Sequence, residues 1–144
     1  MAHVVKQVTT SWTPDRAFAY MADFSHAAEW DPGVAEAKRV DTGTIGLRST
    51  FNLTVLMAGR RIPMTYEITD FASGRVTFTS HSAHLNSVDT VTVVGQGSTT
   101  VVTYDARINF RGILRVADFL LQIAFQGVAD RAIRGLEVRL AQAP

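Results

Sequence analysis

The chain has no cysteine, which excludes disulfides, thiol nucleophiles and thiolate metal ligands. Clustered positive charge is also missing, because the net charge is +1 and no basic run is longer than Arg60-Arg61. Nucleic-acid binding needs Lys and Arg grouped on one face, so we expect no nucleic-acid partner. No apolar run approaches the roughly 18 residues of a membrane span, and the first residues lack the apolar core of a signal peptide. We therefore expect a soluble, cytoplasmic protein.

The amino-acid composition is typical of a globular protein. Of the 144 residues, 47% are apolar and 19% are charged. A chain of this length buries roughly two-thirds of its unfolded surface, so it needs no metal or disulfide to fold. Phosphate loops, nucleotide fingerprints and nucleophile elbows are absent from the sequence. We expect a single domain over residues 1–144 that uses no cofactor.

Turn signals divide the chain into short elements. A β-branched run predicts a first strand over Val4–Ser11, and Thr13 then caps a helix that continues to about Asp23. Ser25 is positioned to cap a second short helix, which ends before Trp30-Asp31-Pro32-Gly33. The six strands predicted after it are joined at hairpin spacing, which indicates an antiparallel sheet; they cover residues 34–40, 47–56, 61–71, 75–81, 85–94 and 99–110.

Apolar and polar residues alternate within these strands and predict one buried face for each. Pro63 interrupts this regularity because it cannot donate to the ladder, so we expect a bulge or an unpaired stretch there. The residues predicted to point inward are Phe51, Leu53, Val55, Ile62, Met64, Tyr66, Ile68, Val76, Phe78, Ser80, Val102, Tyr104, Ala106, Ile108 and Phe110.

After Arg111-Gly112 the pattern takes a helical period that lasts to about Leu140. The residues predicted to face inward from this helix are Ile113, Ala117, Leu120, Leu121, Ala124, Val128 and Gly135. Three of them, Ala117, Ala124 and Gly135, are small. Small residues facing the sheet would leave space for a cavity, or would simply let the helix pack close to the sheet.

This order of elements resembles the START-like SRPBCC superfamily, and is most similar to its small polyketide cyclase/dehydrase-like members. The matching positions are Phe18 in the first helix, Trp30 and Pro32 after the second, and Gly46 and Gly97 before strands. The resemblance implies an α+β helix-grip fold, in which a curved antiparallel sheet of about seven strands surrounds the long C-terminal helix. It also implies an internal cavity for lipids, sterols, polyketides or other hydrophobic ligands, without fixing a reaction.

The cavity would be lined by the inward residues of the sheet and the long helix. Trp30 would either stack on a ligand and shut the opening, or fill the core under the first helix. His26 lies near it and is a candidate for ligand access. The residues predicted to bind a ligand are Trp30, Phe51, Leu53, Met64, Tyr66, Phe78, Tyr104, Ile108, Leu121, Ala124 and Val128.

Four side chains are candidates for chemistry inside this cavity. The hydroxyls of Tyr66 and Tyr104 need partners, which a ligand oxygen or the protein itself would provide. Asp89 shares a face with Val91, and a buried carboxylate there could act as a general base, although a one-residue shift of register would turn it to solvent. Arg131, placed on the inner helix face, would anchor an anionic group, pair with Asp89 or reach the rim.

Other residues suggest weaker sites. His81 and His84 are close together but point to opposite sides of an extended chain, and no carboxylate completes a set, so we expect no metal. Phe119 and Ile133 fall on the polar side of the long helix and would mark a homodimer or membrane-surface contact.

Three functions remain compatible with the sequence. The leading hypothesis is the binding or carriage of a hydrophobic small molecule or lipid. The second is a polyketide cyclase or dehydratase, with Asp89, Tyr66, Tyr104 and Arg131 as catalytic candidates. The third is a protein-interaction module that uses a sheet edge or the Phe119/Ile133 surface.

Overall fold

The structure, a computed structural model, describes residues 2–57, 59–112 and 118–144, with the backbone alone at 118 and 119. It begins with strand β1 (Ala2–Thr10), helix α1 (Pro14–Ala22), one turn of 3₁₀ helix (Phe24–His26) and helix α2 (Ala27–Trp30). The remaining elements are β2 (Val34–Arg39), β3 (Thr50–Met57), β4 (Arg60–Ala72), β5 (Arg75–His81), β6 (Leu85–Gln96), β7 (Thr99–Phe110) and α3 (Asp118–Leu140).

The seven strands form one antiparallel sheet in the order β1-β7-β6-β5-β4-β3-β2. Consecutive strands from β2 to β7 pair as hairpins, and β1 joins the open side of β7. Gly74 and Gly97 make two of the tight turns with positive φ angles of 74° and 66°, which a residue with a Cβ rarely adopts. The α+β helix-grip fold predicted from the sequence is confirmed.

The alternation within the strands identifies the buried face correctly. Phe51, Ile68 and Phe78 are fully buried, and Val76 and Val102 lie on the same inner face. Because the side chains of a strand alternate between the two faces of the sheet, these buried residues form one apolar surface on the face that is directed toward α3.

Pro63 sits in a stretch of β4 that pairs only with β3, because the pairing of β4 with β5 begins at Tyr66. The missing N–H of proline therefore leaves no gap in the ladder. The bulge in β4 lies further along, between Ile68 and Asp70.

The predicted inner face of α3 is wrong. The face that packs on the sheet is rotated from the predicted one by roughly 100°, which corresponds to one residue of an α-helix. Leu120 is 68% exposed and Ala124 is also exposed. Ile113 and Ala117 lie outside the described residues. Apolar residues occur on every side of this helix, so its period is ambiguous. The residues that do face the interior are Phe125, Val128, Ala129, Ala132, Ile133, Leu136 and Leu140.

Gly135 allows close packing and does not enlarge a cavity. A Cβ at this position would overlap the backbone carbonyl oxygen of Trp30, at the end of α2. Of the two alternatives for the small residues of α3, close approach is therefore the correct one at Gly135.

The C-terminal end of α3 is held by the N-terminal part of the chain. Thr10 Oγ1 donates to the Leu140 carbonyl at 2.7 Å, and Trp12 Nε1 donates to the Gln142 carbonyl at 2.7 Å. The Arg139 guanidinium lies 5.0 Å from the ring centre of Trp12 and 4.9 Å from that of Tyr20. Within the described ranges, no helix is long and apolar enough to cross a membrane.

Candidate functional site

A cavity lies between the inner face of the sheet and the first half of α3. Its space not filled by protein atoms amounts to about 930 Å³, including the part open to solvent. Most of the wall is apolar. The lining residues include Lys6, Phe24, Trp30, Asp31, Met64, Tyr66, Ser87, Asp89, Tyr104, Phe125, Val128, Ala132 and Ile133.

Most of the predicted binding residues reach this wall. It includes Trp30, Leu53, Met64, Tyr66, Tyr104, Ile108 and Val128. Phe51 and Phe78 do not line it, because Phe24 covers them; its ring stacks on Phe78 with centroids 4.1 Å apart. Leu121 packs against the core without lining the cavity, and Ala124 points to solvent, as the rotation of α3 requires.

Asp89 points into the cavity and is 7% exposed. Ser87 Oγ donates to one carboxylate oxygen at 2.8 Å, and the Tyr104 hydroxyl donates to the other at 2.8 Å. Burial raises the pKa of Asp89 to about 6, against the two hydrogen bonds, which favour the ionised form. Asp89 can therefore exchange a proton near neutral pH.

The two tyrosines differ in their partners. Tyr104 is engaged with Asp89, and its ring meets Trp30 edge to face at 5.7 Å. The hydroxyl of Tyr66, by contrast, lies 3.8 Å from the thioether of Met64 and also has the Ser87 side chain as a hydrogen-bond partner. Burial raises the pKa of both tyrosines, so both remain neutral donors.

Asp31 is a second carboxyl in the same wall, and it was not among the predicted site residues. It follows α2 directly, and its Oδ1 accepts from the Gly33 amide at 2.7 Å, which turns the chain into β2. Burial raises the pKa of Asp31 to about 6, opposed by the Gly33 hydrogen bond and by the positive charge of Arg131. The charge of Asp31 also raises the pKa of Asp89, so the two carboxyls interact.

Arg131 does not lie on the inner face, contrary to the prediction. It is exposed, because α3 is rotated relative to the predicted face, and it does not pair with Asp89. Among the described residues, the cation in the cavity wall is Lys6 of β1, whose Nζ lies 3.1 Å from Asp130 Oδ1 on α3. The carboxylate of Asp130 therefore balances the positive charge of Lys6 at the cavity wall.

The weaker candidates are placed elsewhere. His26 stacks on Tyr20 with centroids 4.4 Å apart and is not part of the cavity wall. His81 contacts Asn86 on the exposed side of the sheet, and no group of three metal-ligating residues occurs in the described part of the chain. Ile133 lines the cavity and does not lie on the polar face, which corrects its predicted role; the side chain of Phe119 lies outside the described residues.

The missed residues differ in how far the sequence signals them. Lys6 lies between Val4 and Val8, and Ser87 precedes Asp89 by two, so strand alternation places both on the inner face. Asp31 and Phe24 lie in short turns, where no period applies. Their positions depend on how the helical segment packs over the sheet.

The arrangement combines an apolar chamber with one polar end. Near that end, Ser80 is 1% exposed, and its Oγ has no hydrogen-bond partner in the ranges that the structure describes. Ser80 is opposite Tyr66 on one side and Ser87 on the other. The chamber can exclude water from a ligand, and its polar end can orient an oxygen or move a proton.

Solved structures with this architecture include a START superfamily protein from Mycobacterium smegmatis, 15% identical, with a TM-score of 0.80 and 97% of each chain covered. The ZhuI aromatase/cyclase from Streptomyces sp. R1128 is 13% identical, with a TM-score of 0.76 and coverage of 96% of this chain and 90% of the other. Ginseng major latex-like protein 151 from Panax ginseng is 13% identical, with a TM-score of 0.69 and 98% of each chain covered.

At these identities the structures show a shared fold alone. A comparison with curated protein sequences gives no significant match. The family model described as "Polyketide cyclase / dehydrase and lipid transport" matches residues 1–141. The chain therefore belongs to the polyketide cyclase/dehydrase and lipid transport family.

Proposed function

We propose that the protein binds and carries a hydrophobic small molecule or lipid in the cavity between the sheet and α3. The observation that carries this proposal is the mainly apolar wall, which runs from Leu53 and Met64 on the sheet to Phe125 and Val128 on the helix. Burying each CH₂ of a ligand contributes about 0.8 kcal/mol, so such a wall binds an apolar chain without specific chemistry.

A cavity-filling variant tests this proposal. Ala132 lines the cavity, whereas Ala124 on the same helix is exposed. Ala132→Phe should weaken binding of the neutral hydrophobic dye Nile red at least about tenfold, because the ring occupies ligand space. Ala124→Phe adds the same ring outside the cavity and should leave binding unchanged.

Circular dichroism and thermal unfolding verify that both variants fold. Organic extraction of the natively purified protein, followed by mass spectrometry, identifies what it carries. Equal dye binding by the wild type and both variants, or no dye binding by any, would show that the cavity is not the binding site.

A second function, that of a cyclase acting on a polyketide-like substrate, is supported by one arrangement. Asp89, held by Ser87 and Tyr104 and with a pKa near 6, is suited to remove the proton that an aldol-type ring closure requires. Asp89→Asn should then stop cyclisation of a poly-β-ketone thioester while Nile red still binds. No cyclisation by the wild type above the uncatalysed rate would exclude this function.

We also infer that residues 1–144 act as one domain, in the cytoplasm and without nucleic acid. The pairing of β1 with β7 and the packing of α3 on β1 join both ends of the chain into one fold. The interaction-module hypothesis loses part of its basis, because Ile133 faces the cavity. A monomer by light scattering would also exclude the predicted homodimer.

A further inference from the structure

Asp89 is a buried carboxyl group in the cavity wall that has hydrogen bonds but no counter-charge. The residue is 7% exposed and accepts from Ser87 Oγ and from the Tyr104 hydroxyl, each at 2.8 Å. No cation of the described residues forms an ion pair with it, and the charges that act on its pKa, those of Asp31 and Asp105, are both negative. Buried carboxylates are usually paired, so this one requires an explanation.

The other charged groups of the cavity wall already have a partner of opposite charge. Lys6 Nζ lies 3.1 Å from Asp130 Oδ1. Asp31 is half-buried, and the positive charge of Arg131, on the exposed side of α3, opposes the rise in its pKa. Within the part of the chain that the structure describes, Asp89 is therefore the charge in the wall that remains unbalanced. A cationic ligand group would balance it, whereas an anionic one would be repelled.

The surroundings of Asp89 are suited to an ammonium group. An ionised carboxylate has about four lone-pair sites, and Ser87 and Tyr104 each occupy one of them, on different oxygens. The rings of Trp30 and Tyr104, with centroids 5.7 Å apart, belong to the same wall, and aromatic faces attract cations. The rest of the wall is mainly apolar and would hold a hydrocarbon chain.

We propose that the cavity takes an apolar molecule with a protonated amine, whose ammonium group donates a hydrogen bond to the Asp89 carboxylate. An ammonium has three donors and no acceptor, so it complements a carboxylate that still has free lone pairs. A hydrogen bond between two charged groups is also stronger than one from a neutral hydroxyl. This inference rests on the proposed binding function and specifies the charge of the ligand's head group.

The first test compares ligands that share one alkyl chain. Displacement of Nile red is measured at pH 7.5 with octylamine, 1-octanol and octanoate. We expect octylamine to bind the wild type at least about tenfold tighter than 1-octanol, because its hydrogen bond to Asp89 is charge-assisted. Octanoate should bind more weakly than 1-octanol, because it brings a negative charge to a wall without an unpaired cation among the described residues.

The preference for the amine should depend on pH, because it requires the ionised carboxylate. Burial raises the pKa of Asp89 to about 6, so about a tenth of it is ionised at pH 5, and the affinity for octylamine should fall about tenfold from pH 7.5 to pH 5. Asp31, with a pKa of about 6, adds to this decrease. The other titratable or charged groups that line the cavity or act on these carboxyls, among the described residues, are Lys6, Tyr66, Tyr104, Asp105 and Arg131. The affinity for 1-octanol, which has no charge, should change less.

A matched pair of variants assigns the contact. Asp89→Asn keeps the size of the side chain and removes its charge, so the ratio of the octylamine affinity to the 1-octanol affinity at pH 7.5 should fall at least about tenfold. Asp70→Asn removes a carboxylate outside the cavity, on the β4–β5 hairpin, and should leave that ratio unchanged. Circular dichroism verifies that both variants fold.

NMR titration of the Asp89 carboxyl carbon gives a readout that does not depend on the dye. Saturating octylamine should lower the pKa of Asp89 below about 6, because a neighbouring cation favours the ionised form, and 1-octanol should not.

The outcomes separate this inference from the binding function. If Nile red binds but octylamine and 1-octanol displace it equally, or if Asp89→Asn keeps the wild-type ratio, the amine assignment is wrong and the binding function stands. If Nile red does not bind at all, the proposed function fails in its general form. In that case an Asp89 pKa that octylamine leaves unchanged overturns the amine site as well, whereas a lowered pKa supports it.

Discussion

Asp89 makes folding sensitive to pH because its carboxyl is buried. Its pKa is about 6 in the folded protein, compared with the ordinary value of 3.8. The folded state therefore holds more protons than the unfolded state between these values. The free energy of unfolding consequently falls as pH rises through this window and stays lower above it.

Asp89→Asn removes this contribution. Relative to the wild type, the variant should gain stability as pH rises from 4 to 7, by up to about 3 kcal/mol, since two pKa units correspond to roughly that energy. Urea unfolding of both proteins at several pH values measures the difference. Asp31 shifts in the same direction and remains in both proteins, so its own contribution cancels except for the part that comes from its repulsion by Asp89. A difference that stays constant with pH would contradict this account of Asp89.

The Tyr104 hydroxyl stabilises the ionised form of Asp89. Tyr104→Phe removes that donor but keeps the ring against Trp30. The pKa of Asp89 should therefore rise further above 6, because one of the two hydrogen bonds opposing burial is lost. Titration of the side-chain carboxyl carbon by NMR gives the value directly. An unchanged or lower pKa would mean that Tyr104 does not favour the carboxylate.

Single residues of the site were predictable only where a strand fixes their direction. Alternation turns Asp89, Tyr66 and Tyr104 inward once the neighbouring apolar residues define the buried face. The same rule applies to Lys6, which was not among the predicted site residues. Asp31 follows no such rule, because its direction depends on a turn between α2 and β2 that is fixed by the Gly33 amide.

At the level of elements, strands are more predictable than the long helix. A strand has two faces, and one wrong assignment would expose a whole row of apolar side chains, so the pattern is strongly constrained. Helix α3 has apolar residues all round, with Leu120, Ile123 and Val138 exposed. A rotation of one residue changes the pattern little, and only the packing against α2 and β1 fixes it.

Two glycines of α3 test this packing. Gly135→Ala should lower the free energy of unfolding by at least about 2 kcal/mol, since the new methyl group overlaps the rigid carbonyl of Trp30. Gly127→Ala places its methyl 3.7 Å from a flexible nitrogen of Arg131, an ordinary contact. It should raise stability by up to about 1 kcal/mol through helix propensity. Denaturant unfolding compares the two, and equal effects would show that α3 does not pack on α2 as described.

Across the whole molecule, α3 has two different halves. Its C-terminal end is anchored to β1, α1 and α2, whereas the part from Phe125 to Ile133 covers the cavity. The anchored C-terminal end fixes the position of the helix and does not occupy the cavity in which a ligand would bind. A change at the anchor should therefore affect global stability more than the selectivity of the cavity.

Arg139 is the centre of that anchor, and its replacement tests this division. It lies between the rings of Trp12 and Tyr20 and 3.6 Å from Glu29, so it joins three segments to the helix. Arg139→Met keeps much of the apolar stem and should cost about 1–3 kcal/mol, from two cation–π contacts and a partly exposed ion pair. Arg134→Met, exposed on the same helix, is the matched control and should cost less than about 0.5 kcal/mol. Because neither residue lines the cavity, the affinity for Nile red should be the same in both variants and the wild type. A loss of Nile red binding in Arg139→Met at temperatures where it remains folded would show that the anchor also shapes the site.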